Sequence, residues 1–479
     1  MVKEIIFEPG RTFSEFSLMT GYTMKNNIAP IVNLVTDLAG LQLKIPMLSA
    51  AMTAVTGYEM ALALGKEGGI GILPSRLHIR EQVRIIKEIK NYEMSFVEEP
   101  LKIRETSTVE HAMNMITRRG HSKVPVVDRN NVFLGMFTQE NYWKSKVSYQ
   151  DKVTEAMIKP EEIACHENQN VSLDEAKQLL EKKKANYLVI LDGQKRLVKL
   201  AFKKDIEKIK IGAAISTHEG WEERVKSVVE AGADLIVVDT SDAYNEFVVD
   251  VLKKYKSMNL GIPICAGNII TEEGALFLME NGADMVKVGM SSGSICTTQR
   301  EKAVGRAPMS ALMAAEKARK KFLSEKGKYV PIIMDGGIAS ASDMVIALSI
   351  ADALMMGGYF NRFYESPAEK FNENGKETRD EREMKWVSYW GEGSEKAMNL
   401  GRYGHLTRKT FFAEGVEGKV PYMGRLKPTL KKDLMKIKAA LSNAGCRNLV
   451  EYRENAVLEL ISPHSSIIIS NPHNIKENI

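Results

Sequence analysis

Cysteine is scarce in this chain: four in 479 residues (Cys165, Cys265, Cys296 and Cys446), with no Cys-x-x-Cys pair and no Cys/His cluster. That spacing excludes a zinc finger, and a chain of this size has no need of a disulfide scaffold. Long apolar runs are missing too; no stretch reaches the ~18 residues that a membrane helix requires. The N-terminus, Met1-Val2-Lys3-Glu4 onward, lacks the basic-then-apolar pattern of a secretory signal. A reducing cytoplasm is the expected compartment. With 66 basic and 61 acidic residues the net charge is only +5, so no long-range field demands nucleic acid. Glycine (35) and proline (15) are too few for a low-complexity chain.

What the chain does have is a large apolar fraction, 44%, and a length that suits about three domains' worth of residues. Eight short apolar runs recur, each ending in small or polar residues. They lie at 45–49, 69–73, 212–215, 233–239, 262–267, 283–289, 331–335 and 351–357. Continuous rather than alternating runs suit strands buried on both faces, as in a parallel sheet. Helical patterns such as 220–231 and 272–282 lie between them. Eight βα units favour an α/β fold of the (β/α)8 TIM-barrel type, with a doubly wound sheet as the alternative.

The second and third runs are too far apart for one helix. Between them Thr108-Val109-Glu110-His111-Ala112 matches Ser172-Leu173-Asp174-Glu175-Ala176 at an offset of 64, and Val126-Val127-Asp128 matches Ile190-Leu191-Asp192. Two copies of a small α/β unit, about 93–150 and 151–207, are therefore expected as one inserted domain. The barrel would comprise 1–92 and 208–479, with a long polar flap at about 360–425 after strand eight.

Barrel enzymes carry their chemistry at the C-terminal ends of strands. Here those ends hold Met52, Asp239, Asn268, Gly293-Ser294-Ile295-Cys296-Thr297-Thr298, Asp335-Gly336-Gly337 and Gly357-Gly358. A cysteine among hydroxyls and exposed peptide N–H groups suits a low-pKa nucleophile. The glycine pairs after strands seven and eight allow backbone N–H groups to approach a phosphate, and Asp335 suits a ribose diol.

These motifs, with Tyr389-Trp390-Gly391-Glu392-Gly393 and the inserted repeat, resemble the IMP dehydrogenase/GMP reductase family from about residue 10 to the C-terminus. The resemblance implies a barrel enzyme, usually a homotetramer, that oxidises IMP to XMP with NAD through a covalent Cys296 adduct. It further implies that Ser294, Gly336, Gly337, Gly357, Gly358 and Tyr389 surround the phosphate and Asp335 the ribose. Met52, Gly391, Gly393 and Glu414 would face the base, and Asp239 and Asn268 the cofactor. Arg402 and Tyr403, helped by Thr298, would activate water. The inserted pair looks like tandem CBS modules that take adenine or guanine nucleotides, with Thr138, Asn141 and Asp205 at ribose positions and Lys203 and Lys204 near phosphate.

Two alternatives stay open: a GMP reductase, which Thr297-Thr298 and Gly357-Gly358 resemble more, and a nucleotide sensor with an inactive barrel. Arg402-Tyr403 and Glu414-Gly415 favour the dehydrogenase. A K+ site on the main chain of Ser291, Gly293 and Cys296 is also implied. Ser291 stands where the family has glycine, however, and Ile469-Ser470-Asn471 stands where it has Glu-Gly-Gly. Main-chain carbonyls would do the coordinating, so substitution need not abolish binding.

Overall fold

Each of the eight buried runs forms a strand. In the computed structural model they are β1 (Met47–Ser49), β2 (Ile70–Leu73), β3 (Ile211–Ile215), β4 (Leu235–Asp239), β5 (Ile264–Ile269), β6 (Met285–Val288), β7 (Ile332–Asp335) and β8 (Ala353–Met356). All neighbours pair in parallel, β2 with β3 across the insertion, and β8 returns to β1 through Leu354↔Met47 to close the ring. Closure leaves no free edge, so the doubly wound alternative is excluded. The structure describes residues 5–92, 96–119, 123–202, 208–291, 293, 295, 297–394 and 415–462.

Strand alternation sorts the core into two shells. Leu235, Val237, Cys265, Met285, Ile333 and Met355 fill the barrel, while Ile236, Val238, Ile264, Val286, Ile332 and Leu354 face the surrounding helices. Side chains two apart share a face. Asp239, Lys287 and Asp335, each two residues beyond an interior residue, are thereby sent inward at the C-terminal end. Leu38, Leu41 and Leu43 of the hairpin Thr36–Leu38/Leu41–Leu43 join the same interior cluster. Helices begin where a capping side chain stands: Asn245, Thr271 and Ser340 each accept from a backbone N–H in the first turn of 246–257, 272–280 and 341–348.

Asn91–Lys208 is a separate compact unit. It holds two sheets, and its repeat extends to fine detail. The hairpin Lys123–Val127/Phe133–Thr138 and the hairpin Tyr187–Leu191/Leu197–Phe202 carry a bulge at the same place, Val126/Val127 and Ile190/Leu191. Asp128 and Asp192 cap both turns with Oδ1, and Asn131 and Lys195 both have positive φ. The copies meet about a local pseudo-twofold: Phe133 N–H donates to Lys195 O (3.0 Å) and Leu197 N–H to Asn131 O (2.9 Å). Thr138 is nearly buried and caps the helix Gln139–Lys144 by accepting from Asn141 N–H, while Asn141 Nδ2 donates to Ala156 O. Both side chains expected near a ribose are thus engaged within the fold. Lys203, Lys204 and Asp205 lie outside the described residues.

The polar segment expected as a flap is partly sheet: Lys370–Phe371, Trp386–Trp390 and Glu417–Pro421 form three antiparallel strands. Among the described residues no helix is long and apolar enough to cross a membrane.

Candidate active site

A cavity of about 750 Å³ opens at the C-terminal ends of the barrel strands. Its wall includes Met52 after β1, Asp239 at the end of β4, Asn268 in β5, and Ser291, Gly293 and Thr298 after β6. Asp335 ends β7 and Gly336 and Gly337 follow it, Gly357 and Gly358 follow β8, Tyr389 lies in the strand Trp386–Trp390, and Gly391 and Gly393 come just after that strand. One room therefore holds fourteen of the side chains and glycines that the sequence points to. Ser294, Cys296, Arg402, Tyr403 and Glu414 lie outside the described residues.

Beneath the cavity lies Lys287, only 1% exposed. Its ammonium donates to Asp335 Oδ2 (2.7 Å), Asp239 Oδ1 (2.9 Å) and Asn268 Oδ1, which uses all three of its protons. Burial opposes the charge, but the Asp239 and Asp335 carboxylates outweigh it and hold Lys287 above the ordinary lysine range. Asn268 Nδ2 in turn donates to Gly289 O (2.5 Å) and to Asp335 Oδ2 (3.1 Å). The expected ribose carboxylate and the two expected cofactor-side residues thus share one buried cation. Gly267 makes room for it, because a Cβ there would collide with the Lys287 backbone.

At the other end of the cavity, Gly357 is pressed against Tyr389 and Met52. A Cβ on Gly357 would lie 2.7 Å from Tyr389 Oη and 2.9 Å from Met52 Sδ. Gly336 and Gly337 have φ of 80° and 75°, a left-handed pair that only glycine adopts cheaply. Burial pushes the Tyr389 hydroxyl well above its usual range, which keeps it a proton donor. The Ile295 carbonyl, one residue before Cys296, accepts from Val416 N–H (3.1 Å), and Gly391 N–H donates to Val416 O (3.2 Å). This stitches the cysteine's loop to both ends of the segment 395–414.

Several contacts around the wall were not legible in the sequence. Glu392 Oε1 accepts from Thr53 N–H (2.6 Å) and Thr53 Oγ1 (2.8 Å), Arg76 Nε pairs with Glu392 Oε2 (2.7 Å), and Trp390 Nε1 donates to Thr53 Oγ1 (3.0 Å). Three loops far apart in the chain are tied by that carboxylate. Thr217, His218, Asn245 and Phe247 line a further stretch of wall, and Phe247 is 71% exposed. Arg362 also lines the cavity.

A sequence profile described as "IMP dehydrogenase / GMP reductase domain" matches residues 10–473. The chain belongs to that family. Among its curated relatives, the inosine-5′-monophosphate dehydrogenase of Tritrichomonas foetus is 33% identical, over 98% of this chain and 96% of that protein. The enzyme of the same name from Aquifex aeolicus is 34% identical, over 87% and 86%. A crystal structure of a GMP reductase variant from Trypanosoma brucei, in complex with guanosine 5′-monophosphate, superposes with a TM-score of 0.69 at 24% identity, covering 98% of this chain and 99% of that one. At that identity the likeness concerns the fold.

Of the family features expected here, the K+ loop is only part described. Ser291 has φ of 59°, the left-handed conformation that suits the glycine it replaces. Its Oγ donates to Val304 O (3.0 Å) and accepts from Gln299 N–H (2.9 Å), so the hydroxyl serves the loop itself. Cys296 and 469–471 lie outside the described residues. The described cysteines are poor nucleophiles. Burial pushes Cys165 up to about 11 and Cys265 up to about 12, which leaves both as thiols near neutral pH.

Proposed function

We propose that this chain oxidises inosine 5′-monophosphate to xanthosine 5′-monophosphate with NAD. The observation that carries the reading is the meeting, on one cavity wall, of the cysteine loop (Gly293, Ile295, Thr298) with Gly337, Gly357 and Tyr389. A nucleophile's loop and a phosphate-sized cradle share one room. The curated relatives that match nearly the whole chain favour the dehydrogenase among the family's reactions.

Carbon 2 of the hypoxanthine ring is sp² and cannot release hydride directly. In this reading the Cys296 thiolate adds to it, forming a C–S bond and making the carbon tetrahedral. The C–H bond then breaks, and its electron pair leaves as hydride while the ring regains conjugation. NAD supplies the two-electron acceptor. The purine stays joined to sulfur until water adds to carbon 2, gives up a proton to the Arg402/Tyr403/Thr298 group, and the thiolate departs. The balance is IMP + NAD+ + H2O giving XMP + NADH + H+.

The residues suit such a ligand pair. Asp335, fixed by Lys287, presents a carboxylate to a ribose diol, and the buried Tyr389 hydroxyl can donate to a phosphate. On the stretch formed by Thr217, His218 and Asn245, the exposed Phe247 ring offers a face for a second purine, as a dinucleotide would require.

The assay follows absorbance with IMP plus NAD and, separately, with GMP plus NADPH. NADH is expected in the first and no consumption in the second; the reverse result would make the chain a GMP reductase. Turnover in neither, with ATP or GTP still bound, would favour the sensor. Cys296→Ser should abolish NADH formation, and mass spectrometry of quenched wild-type enzyme should find a purine adduct on Cys296.

A further inference from the structure

Arg362 follows the short helix Gly358–Asn361 at the end of β8, and its backbone is held from three directions. Asn361, fully buried, donates from Nδ2 to Ala54 O (2.8 Å) and Ser388 O (3.1 Å). Phe363 on the other side is 1% exposed, and the Arg362 carbonyl accepts from Met423 N–H (3.0 Å). Rigid neighbours stand on both flanks, and the side chain lines the same cavity as Gly357, Gly358 and Tyr389.

One donor of the guanidinium there is unsatisfied. Its Nε is buried and has no hydrogen-bond acceptor. Three other sheltered arginines meet carboxylates: Arg76 has Glu392, Arg319 has Asp352, and Arg453 has Asp352. Among the described residues no carboxylate pairs with Arg362. Taking part of a guanidinium out of water without a partner is costly, and the fold has spent two buried anchors to keep it so. A planar five-donor fork is the group best matched to a phosphate dianion. The adjoining wall supplies a second donor, the Tyr389 hydroxyl, and glycines that leave backbone N–H groups open to approach.

We infer that Arg362 grips the 5′-phosphate of the nucleotide and so sets the preference of this cavity for a nucleoside monophosphate over the free nucleoside. The inference rests on the proposed function, that the cavity takes a purine nucleotide, and names the residue that enforces its phosphate. Arg362 touches the end of the substrate that does not react. Its contribution is binding energy common to ground and transition states, which appears in KM and not in kcat.

The test compares wild type with Arg362→Met and Arg362→Lys, using IMP, inosine and inorganic phosphate as probes. KM for IMP should rise roughly 10- to 150-fold in Arg362→Met, the factor expected for losing a hydrogen bond to a charged group, with kcat nearly unchanged. Arg362→Lys should recover part of the loss. Binding of inosine, which has no phosphate, should be the same in all three proteins. Competition by inorganic phosphate against IMP should weaken in parallel with IMP itself. Without ligand, Arg362→Met should melt no lower than wild type, because no ion pair among the described residues is lost. A marked drop in that melting temperature would mean the guanidinium is structural and overturn the inference. An equal loss of IMP and inosine binding would do the same. Failure of the wild type to form NADH from IMP would instead count against the proposed function, so the two failures are told apart.

Discussion

Lys287 Nζ lies 2.7 Å from Asp335 Oδ2 inside the barrel mouth, and the same ammonium holds Asp239 at 2.9 Å. Two carboxylates can stand this close in a sheltered place because one cation stands between them. Lys287→Met would leave them facing each other. We expect a stability loss of about 3–5 kcal/mol, typical of breaking a buried ion pair, measured by denaturant unfolding. The kcat/KM for IMP should fall as well, because with the cation gone the two carboxylates repel each other and no longer hold their places. An unchanged kcat/KM would show that Asp335 and Asp239 do not act through this lysine.

The contrast between Cys296 and Lys287 shows what a sequence makes legible. Eight strands can be read because parallel strands buried on both faces are continuously apolar over four to seven residues, a local signal. The cysteine loop can be read because small residues and hydroxyls crowd around one thiol. Lys287, in Met285-Val286-Lys287-Val288, is one charge in such a run, and only the inward parity set by Met285 gives it away. Arg76 and Glu392 are 316 positions apart and carry no shared pattern. Their pairing depends on the closed ring that brings loops one and two against the sheet after β8. The lone arginine after Gly357-Gly358 was invisible for a further reason: its distinguishing feature is a missing partner, which no sequence displays.

Gly357 gives a sharper test of the phosphate end. In Gly357→Ala the new methyl would meet Tyr389 Oη at 2.7 Å and Met52 Sδ at 2.9 Å. Both are the far ends of side chains that can turn aside, so the fold should tolerate the change at a cost within about 1–3 kcal/mol. The displaced hydroxyl and sulfur are the groups expected at phosphate and base. KM for IMP should therefore rise at least tenfold, about 1.4 kcal/mol of binding. Titration calorimetry with IMP checks it, and affinity equal to wild type would remove Tyr389 and Met52 from the substrate's surroundings.

Glu392 supports a separate prediction. Its carboxylate joins Thr53 after β1, Arg76 after β2 and the strand Trp386–Trp390. Glu392→Gln keeps the shape and the acceptor for Thr53 but removes the charge facing Arg76, whose side chain is 6% exposed. The sheltered arginine would then lose the Glu392 charge. We expect a loss of roughly 1–3 kcal/mol in unfolding free energy. The double variant Arg76→Met/Glu392→Gln should recover part of the stability, because the charge that faced Glu392 is then gone as well. If the double variant is as unstable as the sum of the single ones, the pair is not coupled.

Lys370 lies in the same sheet and supplies a prediction in pH. Burial pushes its ammonium down to about 8, against the raising influence of Glu59, Glu365 and Glu369, while Nζ donates to Ser366 O. In the unfolded chain a lysine titrates near 10.4. Between those values the unfolded state binds the proton that the folded state has released, so folding gains stability as pH rises through this window. Below pH 8 both states are protonated and the full cost of the buried charge is present. Lys370→Met removes the titration. Its melting temperature should exceed that of wild type by the largest margin near pH 7, and the margin should shrink steadily between pH 8 and 10.5. A margin that stays constant across the range would mean that Lys370 keeps an ordinary pKa, and that the sheet does not bury its charge.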